Sequence, residues 1–454
     1  MIQEPRIWKH LPRSRVDLIN ETVQAHRYAL SLNQDNADVL FNTAQVLTTA
    51  AETAQEARDS NAQNEAVALL KEAVELFSSC LSRQELDFTE SQTQADMDPT
   101  SQNEDEGDLE RMSTTSSQPP QEWATVVEPV TANTLVETAL AELNTLTTLV
   151  SLTSSASGPD SNDYRAFADV AGNLIQQKLP QYIALVPTTA PGDSTPQPTA
   201  RFLSLSDANP TLHVSTPTTP TNPQEAAKHD AALAAAIFSA AIVEAEYSAA
   251  LCTAETYASR LSSTFAALRS APAPSPTHSI QLLSAFADAL VAFASASAAD
   301  GDATAAHALR ASALAQAQVL LAEAAALLPR VGAADAQVPS AIAVALLRGD
   351  VELMRRQVAG GLAEGVGEAA ALLESAAGCY GGGGLGGGRD DADEVLELQV
   401  KRAVVGVLRG VVGTEGIAFV ATDVVAKKIV VEMEEEGLLG ESDKEKITAI
   451  LRHK

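Results

Sequence analysis

Apolar and small residues recur along the first eighty positions with the period of a helix. From Ala37 the text ADVLFNTAQVLTTAAE sets Leu40, Thr43, Ala44 and Leu47 at i, i+3, i+4 and i+7, one face of a 3.6-residue turn. Upstream, Thr22, His26 and Ala29 fall at i, i+4 and i+7, and the polar run Asn33 to Asn36 stops that helix. Downstream, AVALLKEAVELFSSCL places Ala73, Phe77 and Cys80 at the same spacing. Small residues at such positions let two helices approach closely, and the one large side chain fills the space between them.

The same pattern returns further on. Leu283, Phe286, Ala287 and Leu290 reproduce the first-helix spacing, Ala317, Leu321 and Ala324 the second, and Pro329 follows as a stop. A third unit runs from Leu346, Gly349, Asp350 and Leu353 to Ala369, Leu373 and Ala376. Between these units, Thr131 to Leu149 carries Leu135, Ala139, Leu143 and Leu146 on one face, and Asp160 to Ile183 supplies a partner helix that ends near Pro180. Gln224 to Ser270 reads as one long helix with small residues nearly all round it, ended by Pro272, Pro274 and Pro276. After the glycine run of Gly378 to Gly388, which reads as a flexible break, Asp390 to Leu408, Thr414 to Glu436 and Ser442 to Arg452 read as three closing helices.

Two stretches break the periodicity. Glu85 to Glu110 is acidic, lacks Lys and Arg and has almost no apolar residues, so it is expected to be disordered; it reads either as a solvated loop or as an acidic tether for a basic client. Val186 to Pro223 is rich in Pro and Thr and reads as a linker, with Thr216 and Thr219 as possible proline-directed phosphorylation sites.

Together these units resemble the tetratricopeptide repeat: a first helix with a Leu-x2-small-small core and a second with Ala-x3-Phe-x2-Ala. Leu40, Ala44 and Leu47 stand where that family has Trp, Gly and Tyr, and a polar insertion near Glu52 to Glu65 breaks the strict repeat period. Asp17 to Leu32 reads as the second helix of a repeat without its first. The resemblance implies an all-α fold, an α-solenoid of tetratricopeptide-like hairpins with disordered acidic and Pro/Thr-rich insertions. The division expected is 1–83 N-terminal helices, 84–125 acidic insertion, 126–185 helical hairpin, 186–223 Pro/Thr-rich loop, 224–380 central helices, 381–389 Gly-rich linker and 390–454 capping helices.

Composition adds constraints. In 454 residues apolar content is 45% but aromatics are only 4%, so Ala and Leu must do most of the packing, a mix that favours helix over strand. The formal net charge is −29, which argues against nucleic-acid or anionic-membrane partners and favours a basic protein partner or solubility alone. Cys80, Cys252 and Cys379 are far apart and read as buried thiols in a reducing compartment. Met1 to Arg15 lacks the apolar core of a signal peptide, and no uninterrupted apolar run appears long enough to span a bilayer, so a cytoplasmic or nuclear location is expected.

Motifs for chemistry are scarce. Gly381, Gly383 and Gly386 satisfy G-x-G-x-x-G only within a polyglycine tract with no strand before it. None of the seven histidines has metal-ligand spacing along the chain, and no Gly-x-Ser-x-Gly elbow occurs, so no catalytic, metal or cofactor residues are assigned. Arg348, Gly349 and Asp350 spell an adhesion tripeptide that reads as coincidence, Gly349 serving instead a close helix contact. Asn42 matches one position with which chaperone-docking tetratricopeptide proteins grip a peptide carboxylate, without the accompanying Lys and Arg. The candidate partner-binding residues are therefore Asn42 and the acidic Glu104, Asp105, Glu106 and Asp108. The expected function is non-enzymatic: a chaperone or adaptor holding a basic client, similar to the fungal tetratricopeptide chaperones of ribosomal proteins. A general scaffold is the alternative, and an enzyme without a local motif a more distant one.

Overall fold

Fourteen α-helices and no strand make up the described residues of the computed structural model, namely 15–55, 60–97, 129–156, 163–188, 222–296, 303–330, 339–360, 366–382, 392–409, 424–440, 442–443 and 445–447. The fold is all-α, as the periodicity predicts. Packing divides the chain into two units, one of residues 16–145 with 173–187, the other of the remainder.

In the smaller unit, α1 (Arg15–Leu32), α2 (Ala37–Gln55) and α3 (Ser60–Met97) follow one another. The Asn36 side chain opens α2 by accepting the Val39 N–H at 3.0 Å. Helices α2 and α3 pack as a close hairpin. Leu40, Thr43, Ala44 and Leu47 are all buried on α2, and Ala73, Phe77 and Cys80 on α3. Phe77 meets Phe41 edge to face, ring centres 5.6 Å apart. Two of the buried threonines return their hydroxyls to carbonyls one turn back, Thr43 to Val39 at 2.6 Å and Thr145 to Ala141 at 2.9 Å.

Helix α3 does not stop near residue 83; it continues to Met97, through the first half of the stretch expected to be disordered. No Gly or Pro interrupts it before Pro99. Gln84 is buried, Arg83 pairs with Asp87 one turn on, and Glu85 receives the Tyr182 hydroxyl and the Lys178 ammonium, the latter at 3.2 Å. The rest of Glu85 to Glu110 lies outside the described residues.

Helix α4 (Ala132–Ala156) buries Leu135, Ala139, Leu143 and Leu146, the face the spacing marks. Its expected partner is built differently from the reading. After α5 (Asp163–Asn173) comes a π-helical turn, Leu174–Lys178, and then α6 (Leu179–Leu185) with Pro180 in its first turn. The wide turn closes with Leu179 N–H donating to Leu174 O, so Pro180 starts a helical segment instead of ending one. The helix stops at Val186, whose extended backbone (φ −67°, ψ 126°) is what a following proline demands, and Pro187 follows.

The larger unit holds α7 (Pro223–Ser248), α8 (Ala254–Ser270), α9 (Pro276–Ser295), α10 (Ala303–Leu327), α11 (Ala341–Gly360), α12 (Val366–Gly382), α13 (Ala392–Leu408) and α14 (Val424–Glu435). The single long helix expected from 224 to 270 is in fact the pair α7 and α8. Ala250 takes a left-handed conformation (φ 57°), Ala250 N–H bonds Tyr247 O at 2.9 Å and Leu251 N–H bonds Glu246 O at 2.8 Å, closing a Schellman end. Thr253 then caps α8 through the Thr256 N–H at 3.2 Å. Likewise Pro276 opens α9 behind the cap Ser275, a role the sequence reading gave to a stop.

Hairpins α9/α10 and α11/α12, like α2/α3, are the most closely packed helix pairs, and they are the three that the small-residue pattern singles out. Leu283, Phe286, Ala287, Leu290, Ala317, Leu321 and Ala324 are all buried in a core shared by α7 to α11. A second core joins α11 to α14 and the Leu438 to Ile447 segment. Helix α11 serves both, offering Val351 to the first and Leu346 and Leu353 to the second.

The glycine run is helical as far as Gly382. Tyr380, wholly buried, lies over Gly349, where an added Cβ would stand 2.1 Å from the Tyr380 ring, and donates its hydroxyl to Asp350 at 2.5 Å. That tertiary anchoring overrides the poor helix propensity of glycine. Residues 383–391 and 410–423, part of the expected linker and closing helices, lie outside the described residues, as do 189–221 of the Pro/Thr-rich stretch.

Candidate functional site

Of the residues singled out for binding, Asn42 is exposed on α2, opposite the face that packs on α3. Glu104, Asp105, Glu106 and Asp108 lie outside the described residues. The adhesion tripeptide is structural: Gly349 admits Tyr380, and Asp350 is held internally.

Three places concentrate polar chemistry. The first lies in the second core of the larger unit. Asp350 receives Tyr380 OH on one oxygen and Lys401 Nζ, at 2.8 Å, on the other, while Lys401 also reaches Glu397 Oε1 at 2.8 Å. Burial pulls the Lys401 ammonium down, but the two carboxylates together hold it above its ordinary value. Burial also raises Asp350 against the pull of Lys401, and lifts Tyr380 well above the usual phenol range. Nearby, Arg356 grips Asp443 with both guanidinium nitrogens at 2.6 and 2.9 Å, and Gln357 reaches Leu438 O at 3.3 Å. Paired in this way, these charges tie the helices of the second core together.

The second is Glu142 in the smaller unit, buried and accepting the Ser78 hydroxyl at 2.5 Å. Burial raises its carboxyl above the ordinary range. Cys80 close by is a free thiol pushed up to about 12 by burial, and it donates to Ala37 O at 3.3 Å, so it is a packing residue and not a nucleophile.

The third joins α7 and α9. His229 and Asp230 sit near the start of α7, and His278 in the first turn of α9. The two imidazoles meet edge to face with centres 5.1 Å apart, and His278 Nε2 stands 3.5 Å from Asp230 Oδ1. His278 Nδ1 lies 2.7 Å from the Ser275 hydroxyl. His229 is 8% exposed, and neither of its ring nitrogens has a hydrogen-bond partner. Burial, reinforced by His278, lowers the His229 pKa. Sequence reading did not find this cluster because its members are separated along the chain by the whole of α8; histidine spacing carries no trace of it.

By length and composition alone, helices α7 and α9 are apolar enough to cross a bilayer. Both contribute buried residues to the first core. The chain matches no protein-family model, no curated protein and no solved structure.

Proposed function

We propose that the chain is a non-enzymatic binding protein, a tetratricopeptide-like array that acts as a chaperone or adaptor for a basic protein client, of which a ribosomal protein is an example. The observation that carries this reading is the succession of closely packed hairpins joined to a net charge of −29. Stacked hairpins offer a long exposed surface, and a strongly acidic one steers and shields a basic segment. The buried carboxylates described above are committed to internal partners, so the charge available to a client comes from the many remaining acidic residues. The proposed location is cytoplasmic or nuclear.

One feature favours a general scaffold instead. Helix α1 exposes Val16, Tyr28 and Leu32, at 52, 67 and 69% of their surface, and contact through such side chains resists salt. Affinity purification of the tagged chain from its native cell at low and moderate salt separates the two. A single basic protein recovered in stoichiometric amount and shed as salt rises supports the chaperone reading. A salt-resistant complex of several subunits, or no partner, overturns it.

A further inference from the structure

We propose that His229, Asp230 and His278 form a binding site for one borderline divalent transition-metal ion, Zn²⁺ being the best fit, and that the ion fastens α7 to α9. The proposal is independent of the client-binding reading and stands on the geometry of three side chains.

The donor set suits the ion. Two neutral imidazoles and one carboxylate are ligands of the kind that Zn²⁺ takes in its three-ligand sites. One donor atom from each residue lies within 4.8 Å of the other two. In a tetrahedral site with Zn–N and Zn–O bonds near 2.1 Å, donor atoms stand about 3.4 Å apart. His278 Nε2 and Asp230 Oδ1 are already at 3.5 Å. That separation is long for a direct hydrogen bond and fits two ligands on a common metal.

The second observation is the state of His229. A ring this deeply buried ordinarily finds a hydrogen-bond partner for at least one nitrogen, because an unpaired buried polar group costs about 1–3 kcal/mol. His229 has none on either nitrogen. The two rings meet edge to face with centres 5.1 Å apart, and a metal held among the three donor atoms satisfies the orphaned nitrogen. The contact of His278 Nδ1 with the Ser275 hydroxyl supplies the outer support that metal-bound histidines use: a proton on Nδ1 donated to Oγ leaves the Nε2 lone pair for the ion. Ser275 is itself fixed as the cap of α9, accepting the His278 backbone N–H. Bringing the widest donor pair from within 4.8 Å to about 3.4 Å needs a closure of up to about 1.4 Å, within reach of side-chain rotation. Asp230 keeps 43% of its side chain exposed, so the site is open on that side and a fourth position falls to water or to an incoming ligand.

The test uses the full chain, freed of metal with a chelator, and titrated with Zn²⁺ by calorimetry and with Co²⁺ by visible absorption. The expected result is one equivalent bound, tetrahedral Co²⁺ bands, and a thermal midpoint that rises with Zn²⁺. Asp230→Asn changes a half-exposed side chain without loss of volume and is expected to weaken affinity by at least about ten-fold while circular dichroism stays unchanged. His278→Gln is expected to abolish the Co²⁺ bands. Absence of binding at micromolar Zn²⁺, or binding that survives both substitutions unchanged because it resides on cysteines or on surface carboxylates, overturns the proposal.

Discussion

Two adjoining cores of the larger unit, both resting on α11, are held together by different physics. The first, α7 to α11, gathers five of the chain's few aromatic residues. Phe265 and Phe286 stack with centres 4.7 Å apart and planes 9° from parallel, Tyr257 meets Phe293 edge to face at 4.9 Å, and Tyr247 leans on both. Each such pair contributes about 0.5–1.5 kcal/mol beyond the area it buries. The second core, α11 to α14, contains one large buried aromatic, Tyr380, and spends it on a hydrogen bond to Asp350. There Lys401 and Asp443 are almost wholly enclosed, and Arg356 is partly so. Apolar packing tolerates no loss of volume but is indifferent to pH. Buried ion pairs tolerate neither the loss of one partner nor its protonation, and they fix which helix meets which.

Substitutions in each core sharpen that contrast. The largest effect is expected for Phe286→Ala, which leaves a cavity under Phe265 and loses about 3–5 kcal/mol in denaturant unfolding of the full chain. A loss under about 1 kcal/mol would mean that the ring is not part of a tightly packed core.

Lys401→Met comes next, at about 3 kcal/mol, the lower end for breaking a buried pair because Asp350 keeps the Tyr380 hydroxyl and a little solvent. The double variant Asp350→Asn with Lys401→Met is expected to recover most of that loss, since the stranded charge is gone. If the double variant falls as far as the single one, volume and not charge holds this core, and the contrast with the first core fails.

The smallest effect is a pair of opposite pH slopes. Burial pushes Asp443 up but is outweighed by the hydrogen bonds and charge of Arg356, so its folded pKa lies below the ordinary value. Its contribution is present above the unfolded pKa of about 3.9 and is lost as pH falls through the folded value. Glu244, in the aromatic core, is raised by burial alone. Its native carboxyl binds a proton at higher pH than in the unfolded chain, so stability declines as pH rises from about 4.3 through that raised value. Thermal unfolding from acid to neutral pH is the measurement. The stability difference between wild type and Asp443→Asn should shrink on acidification, while Glu244→Gln should gain on wild type as pH rises; parallel curves would refute both assignments.

Two helix ends show what could be read and what could not. At Gly437 (φ 72°) α14 closes with Gly437 N–H on Glu434 O and Leu438 N–H on Met433 O; at Ala250 α7 closes with the same two bonds. Gly437 announces its turn, since glycine takes a left-handed conformation without strain. Ala250 does not, and an Ala-rich stretch without Gly or Pro from 224 to 270 reads as one helix. What forces the turn there is the enclosure of Tyr247 and Tyr257, on either side of it, against Phe293 of α9, contacts that no local window contains. Pro180 failed as a stop for a related reason: the π turn before it satisfies the backbone that proline cannot.

Periodicity by itself determined that this chain is helical and which faces are buried, because a 3.6-residue repeat of small and apolar side chains has one low-energy arrangement against a neighbouring helix. It also marked the three tightest hairpins and the need for Gly349, since those signals lie within a few turns of one another. Tertiary structure alone decided the split of α7 from α8, the helical course of the first glycines beneath Tyr380, the pairing of Asp350 with Lys401 and of Arg356 with Asp443, and the meeting of His229 with His278. Each of these depends on side chains brought together across many tens of residues. Their proximity is set by how whole helices pack, and a sequence pattern records only what lies along the chain.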